Sequence, residues 1–487
     1  MGSNEFFQRQ FIAGKWCNGS KNAVLKNRNP WNLELLSEIT LADHSDLDIA
    51  YAAAENAQKS WAQCPARTRA KILLKAVEIM DNRHDEIVEW LIAESGSTRT
   101  KAELEFSAVR EGTFTAAFLP SRVHGLIKPV SIPGKESRVY RSPVGVIGVI
   151  SPWNWPMHLT NRSVAPALAL GNAVVVKPAD DTPVTGGLLL ASIYEEAGLP
   201  PGLLNIVVGK VADIGDPFIL HPVPSFISFT GSTRVGRHIG SLAVSGKHIK
   251  RVGLELGGNA PCVVLDDADI GLAVTGATVG RFLHQGQICM STNRIIVDKT
   301  IYDEFTGAFV ERVSKLKCGN PADPDTVIGP LINQRQADAA LSRIQAARQH
   351  GHRVLLEGEA SGRLIPPHIF ADVPNDSCLA QTEQFAPVAS IIRAEDEDHA
   401  LRLANETEFG LSSAVFTRDE ARGLKFASGI HAGMTHINDI TPNDDPDNMF
   451  GGEKNSGIGR FNSDWIIHEF TREQWITVQR EARHYPF

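Results

Sequence analysis

From Gly145 to Glu255 the chain alternates short apolar, β-branched runs with helix-compatible stretches, and no other feature constrains its fold as much. Gly145–Ile150 reads as an apolar strand, and His158–Leu170 as a helix closed by Gly171. Ala173–Lys177 is a second strand; the helix over Pro183–Ala197 has proline at its start and Gly198 at its end. Asn205–Val208, Ser225–Phe229 and Arg251–Glu255 are further strands with helices between them. Alternation at this spacing predicts a parallel sheet flanked by helices, an α/β fold. Ligands of such sheets bind beyond the carboxyl ends of the strands. Asn154, Lys177 and Ser232 each fall at or just after a strand end.

A second α/β region opens at Pro261–Leu265 and runs to about Phe450, with a strand at Arg294–Val297 and helices near Tyr302–Leu316 and Arg335–His350. Ala389–Arg393 is a late β-compatible stretch. Ahead of the first sheet lie a short strand with a glycine turn at Phe11–Trp16 and a helical layer. That layer covers Asp46–Trp61, Arg67–Ser95 with Gly96 as its stop, and Lys101–Phe118, ended by Pro120. Val123–Arg141 changes character: polar, β-compatible pieces interrupted by Pro129, Pro133 and Gly134 suit a sheet extension or partner contact. Trp475–Arg480 reads as a terminal strand. A chain of 487 residues is too long for one ordinary domain, so two or three are expected.

A formal net charge of −8 and no dense Lys/Arg run argue against a nucleic-acid partner. The six cysteines are dispersed without a CxxC pair, which disfavours a metal site and a disulfide framework and fits a reducing cytosol. The N-terminal stretch MGSNEFFQRQFIAGKW has neither a signal core nor transit character, and no apolar run approaches the ~18 residues of a membrane span. A cytoplasmic protein without membrane contact is expected.

Chemistry concentrates at Phe282–Arg294, FLHQGQICMSTNR, where an apolar helical run stops at a Gln-Gly-Gln turn and presents Cys289. A thiolate is a strong nucleophile, but a free cysteine is mostly protonated at neutral pH and needs an activating environment. Taken alone, Cys289 is as well read as a small buried hydrophobe. Upstream lie Leu254-Glu255-Leu256-Gly257-Gly258-Asn259 and Ser151-Pro152-Trp153-Asn154-Trp155-Pro156. In order and spacing these three segments resemble the aldehyde dehydrogenase superfamily over nearly the whole chain.

That resemblance implies Cys289 as nucleophile, Glu255 as general base and Asn154 as donor to the oxyanion, with the Cys289 backbone N–H as a second donor. It implies NAD as cofactor, NADP being admissible, although no GxGxxG fingerprint occurs. The cofactor would be held by Trp153, by Gly231 and Ser232 of FTGSTRVG where a strand turns into a helix, and by Lys177 of KPAD on the adenosine ribose. Asp180, where many relatives carry Glu, would disfavour a 2′-phosphate by repulsion. Glu383 would hold the nicotinamide ribose and Phe385 pack on the nicotinamide; Ala386 replaces the usual Gly, and His284 the usual Asn. Trp155 and Leu159 are placed by the same resemblance at the aldehyde channel, where flat apolar walls suit an aromatic ring. The Phe450–Arg460 segment, FGGEKNSGIGR, would shape the active-site wall and domain contact.

The implied units are a cofactor-binding domain at 1–122 and 144–255, a catalytic domain at 256–460, and an oligomerisation arm at 123–143 and 461–487 of a homodimer or homotetramer. His284–Met290, His436–Asp439 with Asn443-Asp444 following, and the ending Tyr485-Pro486-Phe487 look most like bacterial benzaldehyde and vanillin dehydrogenases. Aliphatic or semialdehyde oxidation is the alternative. CoA acylation is disfavoured by the retained Glu255, and a non-catalytic structural role by the joint retention of Cys289, Glu255 and Asn154.

Overall fold

The computed structural model describes residues 5–487. Residues 1–4, the start of the predicted cofactor-binding unit and of the N-terminal stretch read above, lie outside the described residues. The parallel centre of the first sheet runs Leu204–Ile206, Ala173–Lys177, Val146–Ile150, Phe226–Thr230 and Arg251–Glu255 across its width. Val174, Val175, Val176 and Ile147 are fully buried, as strands covered on both faces must be. The chain moves outward from Val146–Ile150 to Leu204–Ile206, then returns to the opposite side for Phe226–Thr230. Strand order therefore reverses beside Val146–Ile150, and a crevice opens there at the carboxyl ends. The hairpin Gln10–Ile12/Lys15–Cys17 and the short strand Gly457–Ile458 add antiparallel edges.

The second sheet runs Arg353–Leu356, His368–Ala371, Val388–Ala394, Thr292–Asp298, Ala260–Val264, Ser412–Phe416 and Met434–Ile437. It is parallel apart from its first pair. Leu126–Lys128, Lys135–Pro143 and Thr471–Gln479 form a separate antiparallel sheet, in which the C-terminal strand pairs along its whole length from Thr471↔Pro143 to Gln479↔Lys135. The fold is the predicted α/β arrangement of helix-flanked sheets with a small β arm.

Two helix limits differ from expectation. Arg67–Ser95 is two helices, Ala66–Asn82 and His84–Ser95. Arg83, at φ −107° and ψ 19°, leaves the helical conformation, and its guanidinium bonds Glu86 and Ser192 instead. Pro120 does not end its helix, which continues over Arg99–Arg122. A proline there costs a bond near the fraying end, not in the middle of the ladder.

Candidate active site

The loop carrying Cys289 begins where the helix Ile270–Phe282 stops. His284, Gln285 and Gly286 then follow in succession at φ 51°, 56° and 74°. For residues with a Cβ this left-handed conformation costs on the order of 1 kcal/mol or more each, so surrounding structure must hold it. Arg281 supplies part of that support: its buried guanidinium donates to the carbonyls of Gly286 at 2.9 Å and Thr292 at 3.0 Å. Gln285 donates to the carbonyls of Gly96 and Pro330, and the Gln287 side-chain oxygen accepts from the Ile332 N–H at 3.1 Å. A Cβ on Gly286 would stand 2.1 Å from the Arg281 guanidinium and 2.5 Å from the Ala386 carbonyl, so only glycine fits.

The loop delivers Cys289, half-buried, to a turn just ahead of Thr292–Asp298. Asn154, after the strand Val146–Ile150, donates its side-chain amide to the Gln287 carbonyl at 2.8 Å. One amide hydrogen is used there; the other takes no protein partner. On the other side the Gly257-Gly258 turn runs so close that a Cβ on Gly258 would lie 2.1 Å from the Cys289 carbonyl oxygen.

Glu255 ends the strand Arg251–Glu255 and is 2% exposed, with neither carboxyl oxygen hydrogen-bonded. Burial pushes its carboxyl up to about 8, against the opposing pull of Arg162 and Arg460. Burial, aided by the charge of Glu383, pushes the Cys289 thiol up to about 12. The thiol is therefore protonated at rest, and a nearby proton acceptor is required to make it a nucleophile.

Cys289 stands where two cavities meet. The first, of about 270 Å³, is lined by Trp153, Asn154, Gly231, Ser232, Cys289, Glu383 and Phe385 among others. Ser232 precedes the helix Thr233–Ser245 and makes no side-chain cap, so the first-turn N–H groups face the crevice without a side-chain acceptor. Glu383 accepts from the Gly258 N–H at 2.9 Å, and burial lifts its carboxyl to about 7. Phe385 is held at φ 47° with its ring edge-on to Trp153 at 5.5 Å. Lys177 and Asp180 lie outside this cavity, after the neighbouring strand, where Lys177 pairs with Ile150 in register. The Asp180 carboxylate sits 3.2 Å from the Lys177 ammonium and 3.0 Å from that of Lys210. Burial pushes Asp180 up, but those two charges win and hold it below its ordinary range.

The second cavity, of about 250 Å³, has walls of Trp155, Leu159, Leu283, Ile288, Met290 and Phe450. Cys289, Asn154 and Leu159 line both spaces. Glu255 is not among the residues lining either; it stands beside Leu256 and Gly257, which line the first. Among the apolar walls of the second, His158 and Asp444 form a pair at 2.9 Å. His284 is fully buried with both ring nitrogens unpartnered, and burial holds it well below the ordinary imidazole range.

Sequence patterns did not single out Arg281 or His158, and Asp444 and Met290, though within segments that carry the resemblance, were given no role in the site. No local spacing links Asp444 to His158, and a lone arginine in an apolar helix carries no mark of the loop it supports. Phe450 lay within a recognised segment, and its place in the cavity wall follows from that.

Residues 16–476 match the model of the aldehyde dehydrogenase family. A vanillin dehydrogenase of Corynebacterium glutamicum is 52% identical over 97% of this chain and 98% of its own. The crystal structure of an NAD-dependent benzaldehyde dehydrogenase from Corynebacterium glutamicum superposes with a TM-score of 0.91 at 49% identity, covering 99% of this chain and 98% of that one. That of a salicylaldehyde dehydrogenase from Pseudomonas putida G7, complexed with salicylaldehyde, gives 0.95 at 36% identity over 98% and 99%. With these matches spanning both sheets and the cysteine loop between them, the chain belongs to the aldehyde dehydrogenase family.

Proposed function

We propose that this protein oxidises an aromatic aldehyde to its carboxylic acid with NAD⁺. The observation that carries this is the position of Cys289 at the junction of a polar cavity and an apolar one. The residues around the polar cavity fit a dinucleotide. The helix start at Ser232 offers N–H groups to a pyrophosphate, Glu383 presents a carboxylate to ribose hydroxyls, and Phe385 and Trp153 give a flat wall to a nicotinamide. Lys177 and Asp180, farther along the same strand ends, are assigned to the adenosine ribose. NAD⁺ bound there would supply the hydride acceptor that converts the adduct on Cys289 to a thioester.

The chain's own residues do the rest. The Cys289 sulfur attacks the aldehyde carbon, its thiol proton leaving to solvent through the polar cavity that Cys289 lines. The second amide hydrogen of Asn154 and the Cys289 backbone N–H stabilise the oxyanion; one such donor is worth about 10²–10³ in rate. Glu255, in its ionised form, takes a proton from the water that attacks the thioester carbon and returns it to the departing Cys289 sulfur as the carboxylic acid is released. Trp155, Leu159, Met290 and Phe450 hold the ring by area, on the order of a few kcal/mol.

We assign 1–122 with 144–255 to cofactor binding, 256–460 to catalysis, and 123–143 with 461–487 to oligomerisation. The arm exposes Ile127, Tyr140, Trp475 and Ile476, a surface suited to a homodimer or homotetramer. No helix among the described residues is long and apolar enough to cross a membrane. Its six cysteines are free thiols, which supports assignment to the cytoplasm.

NADH formation with benzaldehyde, vanillin, hexanal and acetaldehyde tests the substrate class. The aromatics are expected to exceed both aliphatics in kcat/KM, mainly through KM. Hexanal equal to or above both aromatics overturns the aromatic assignment.

A further inference from the structure

The apolar cavity contains one polar feature that wall-building does not call for. His158 and Asp444 both line it, and their side chains are 14% and 17% exposed. The His158 Nε2 lies 2.9 Å from Asp444 Oδ2. Asp444 also accepts from the Asn462 amide at 2.8 Å and faces the Arg162 guanidinium at 3.5 Å. Although burial pushes its carboxyl up, the hydrogen bonds from His158 and Asn462 and the charge of Arg162 hold it below its ordinary range. Asp444 is thus an ionised carboxylate, able only to accept, and the shared proton belongs to His158 Nε2. In the neutral ring Nδ1 is then a lone-pair acceptor, and among the described residues no group donates to it.

The ring is also held rigidly. The backbone N–H groups of Met157 and His158 donate to Glu105 Oε1 at 2.9 and 3.2 Å, and Glu105 is itself paired with the buried Lys101. The Trp155 ring stands edge-on to the imidazole at 6.2 Å. Burying an ionised carboxylate is costly even when it is paired. A pair that only tied this loop to the helix would not need to lie in the cavity wall with an unfilled acceptor.

We propose that His158, oriented by Asp444, accepts a hydrogen bond from a hydroxyl group on the ring of the substrate aldehyde. This rests on the aromatic assignment above and adds to it the substituent that the site selects. A phenolic hydroxyl donates to Nδ1, whereas its methyl ether has no hydrogen to give. At a pH below the phenol's own pKa the two substituents have similar electronic effects on the aldehyde, so comparing them there isolates the hydrogen bond.

The test is kcat/KM for benzaldehyde, hexanal, the 2-, 3- and 4-hydroxybenzaldehydes and the corresponding methoxybenzaldehydes. In the unmodified enzyme at least one hydroxy isomer is expected to exceed its own methyl ether by about tenfold, the scale of a single hydrogen bond. His158→Phe, which keeps an aromatic wall and removes the acceptor, should bring that ratio close to one. Asp444→Asn lets a carboxamide donate to Nε2, moves the ring proton to Nδ1 and turns the acceptor into a donor. The hydroxy-to-methoxy ratio should therefore fall in this variant too, with the methyl ether gaining. A purely structural pair would lower all ring aldehydes alike and leave the ratio unmoved; that result, or no hydroxyl preference in the unmodified enzyme, overturns the proposal. Melting curves identify a variant that fails to fold, in which case the other variant and the unmodified enzyme decide. Hexanal above every aromatic refutes the aromatic assignment. Aromatics above hexanal with no hydroxyl effect refute only the role given to His158.

Discussion

The Asn154 side-chain amide donates a 2.8 Å hydrogen bond to the Gln287 carbonyl, tying the loop after a strand of the first sheet to the turn that carries Cys289. In the proposed mechanism Asn154 both positions Cys289 and stabilises the oxyanion. Asn154→Ala is expected to lower kcat by about 10²–10³, the worth of one oxyanion donor. It also leaves a buried carbonyl unpaired, at a cost of about 1–3 kcal/mol. Pre-steady-state NADH formation and a melting curve check the two effects separately. Unchanged kcat with a lowered Tm would assign Asn154 to structure alone.

Cys289→Ala should abolish oxidation while NAD⁺ binding, followed by fluorescence quenching, persists. Glu255→Gln should retain a burst of about one NADH per active site and then turn over slowly, because acylation outlasts the loss of the base that drives hydrolysis. A Glu255→Gln enzyme with full steady-state turnover excludes that role.

Glu255 also couples stability to pH. Its carboxyl is raised in the fold from 4.5 to about 8, so between these values the folded chain keeps a proton that the unfolded chain releases. Stability contributed at this position is therefore lost as pH rises from about 4.5 to about 8. Glu255→Gln removes the dependence. Its stability advantage should be small at pH 5 and larger at pH 8, reaching on the order of a few kcal/mol. Calorimetry at the two pH values measures the difference, and equal shifts would show that the carboxyl is not held neutral. The steady-state rate of the unmodified enzyme should rise with pH through about 8, as the base ionises.

Asp180 is clamped by Lys177 and Lys210, and its negative charge is balanced by theirs. NAD⁺ is expected to be preferred over NADP⁺, but modestly. Asp180→Ser should free both ammonium groups for a 2′-phosphate and raise kcat/KM for NADP⁺ about tenfold or more, while lowering that for NAD⁺. The ratio of kcat/KM for the two cofactors is the readout. No gain for NADP⁺ would place cofactor choice elsewhere in the crevice.

Local pattern made the strands legible: β-branched runs such as Ala173–Lys177 have little alternative once helices flank them. It also made visible the helix ends at Gly171 and Gly198, whereas the segments bearing Cys289, Glu255 and Asn154 stood out only by their joint resemblance to the aldehyde dehydrogenase family. The split at Arg83 was hidden because both flanking runs are helix-forming; its guanidinium bonds Glu86 in the next turn and Ser192 across the fold. Pro120 misled because a proline late in a helix loses little.

By itself, then, the amino-acid order determined the two parallel sheets, since each strand depends on neighbours within a few residues, and it marked Cys289, Glu255 and Asn154 as candidates only through the resemblance that their three separated segments carry together. What it did not contain is what burial and long-range approach decide. The carboxyl of Glu255 is raised to about 8 only because the fold removes its water. His284 and Gln285 stay left-handed only because Arg281, Gly96 and Pro330 bind the loop they belong to. His158 meets Asp444 across 286 residues of chain. Chain spacing has no bearing on such contacts: desolvation and hydrogen-bond geometry are properties of the packed interior.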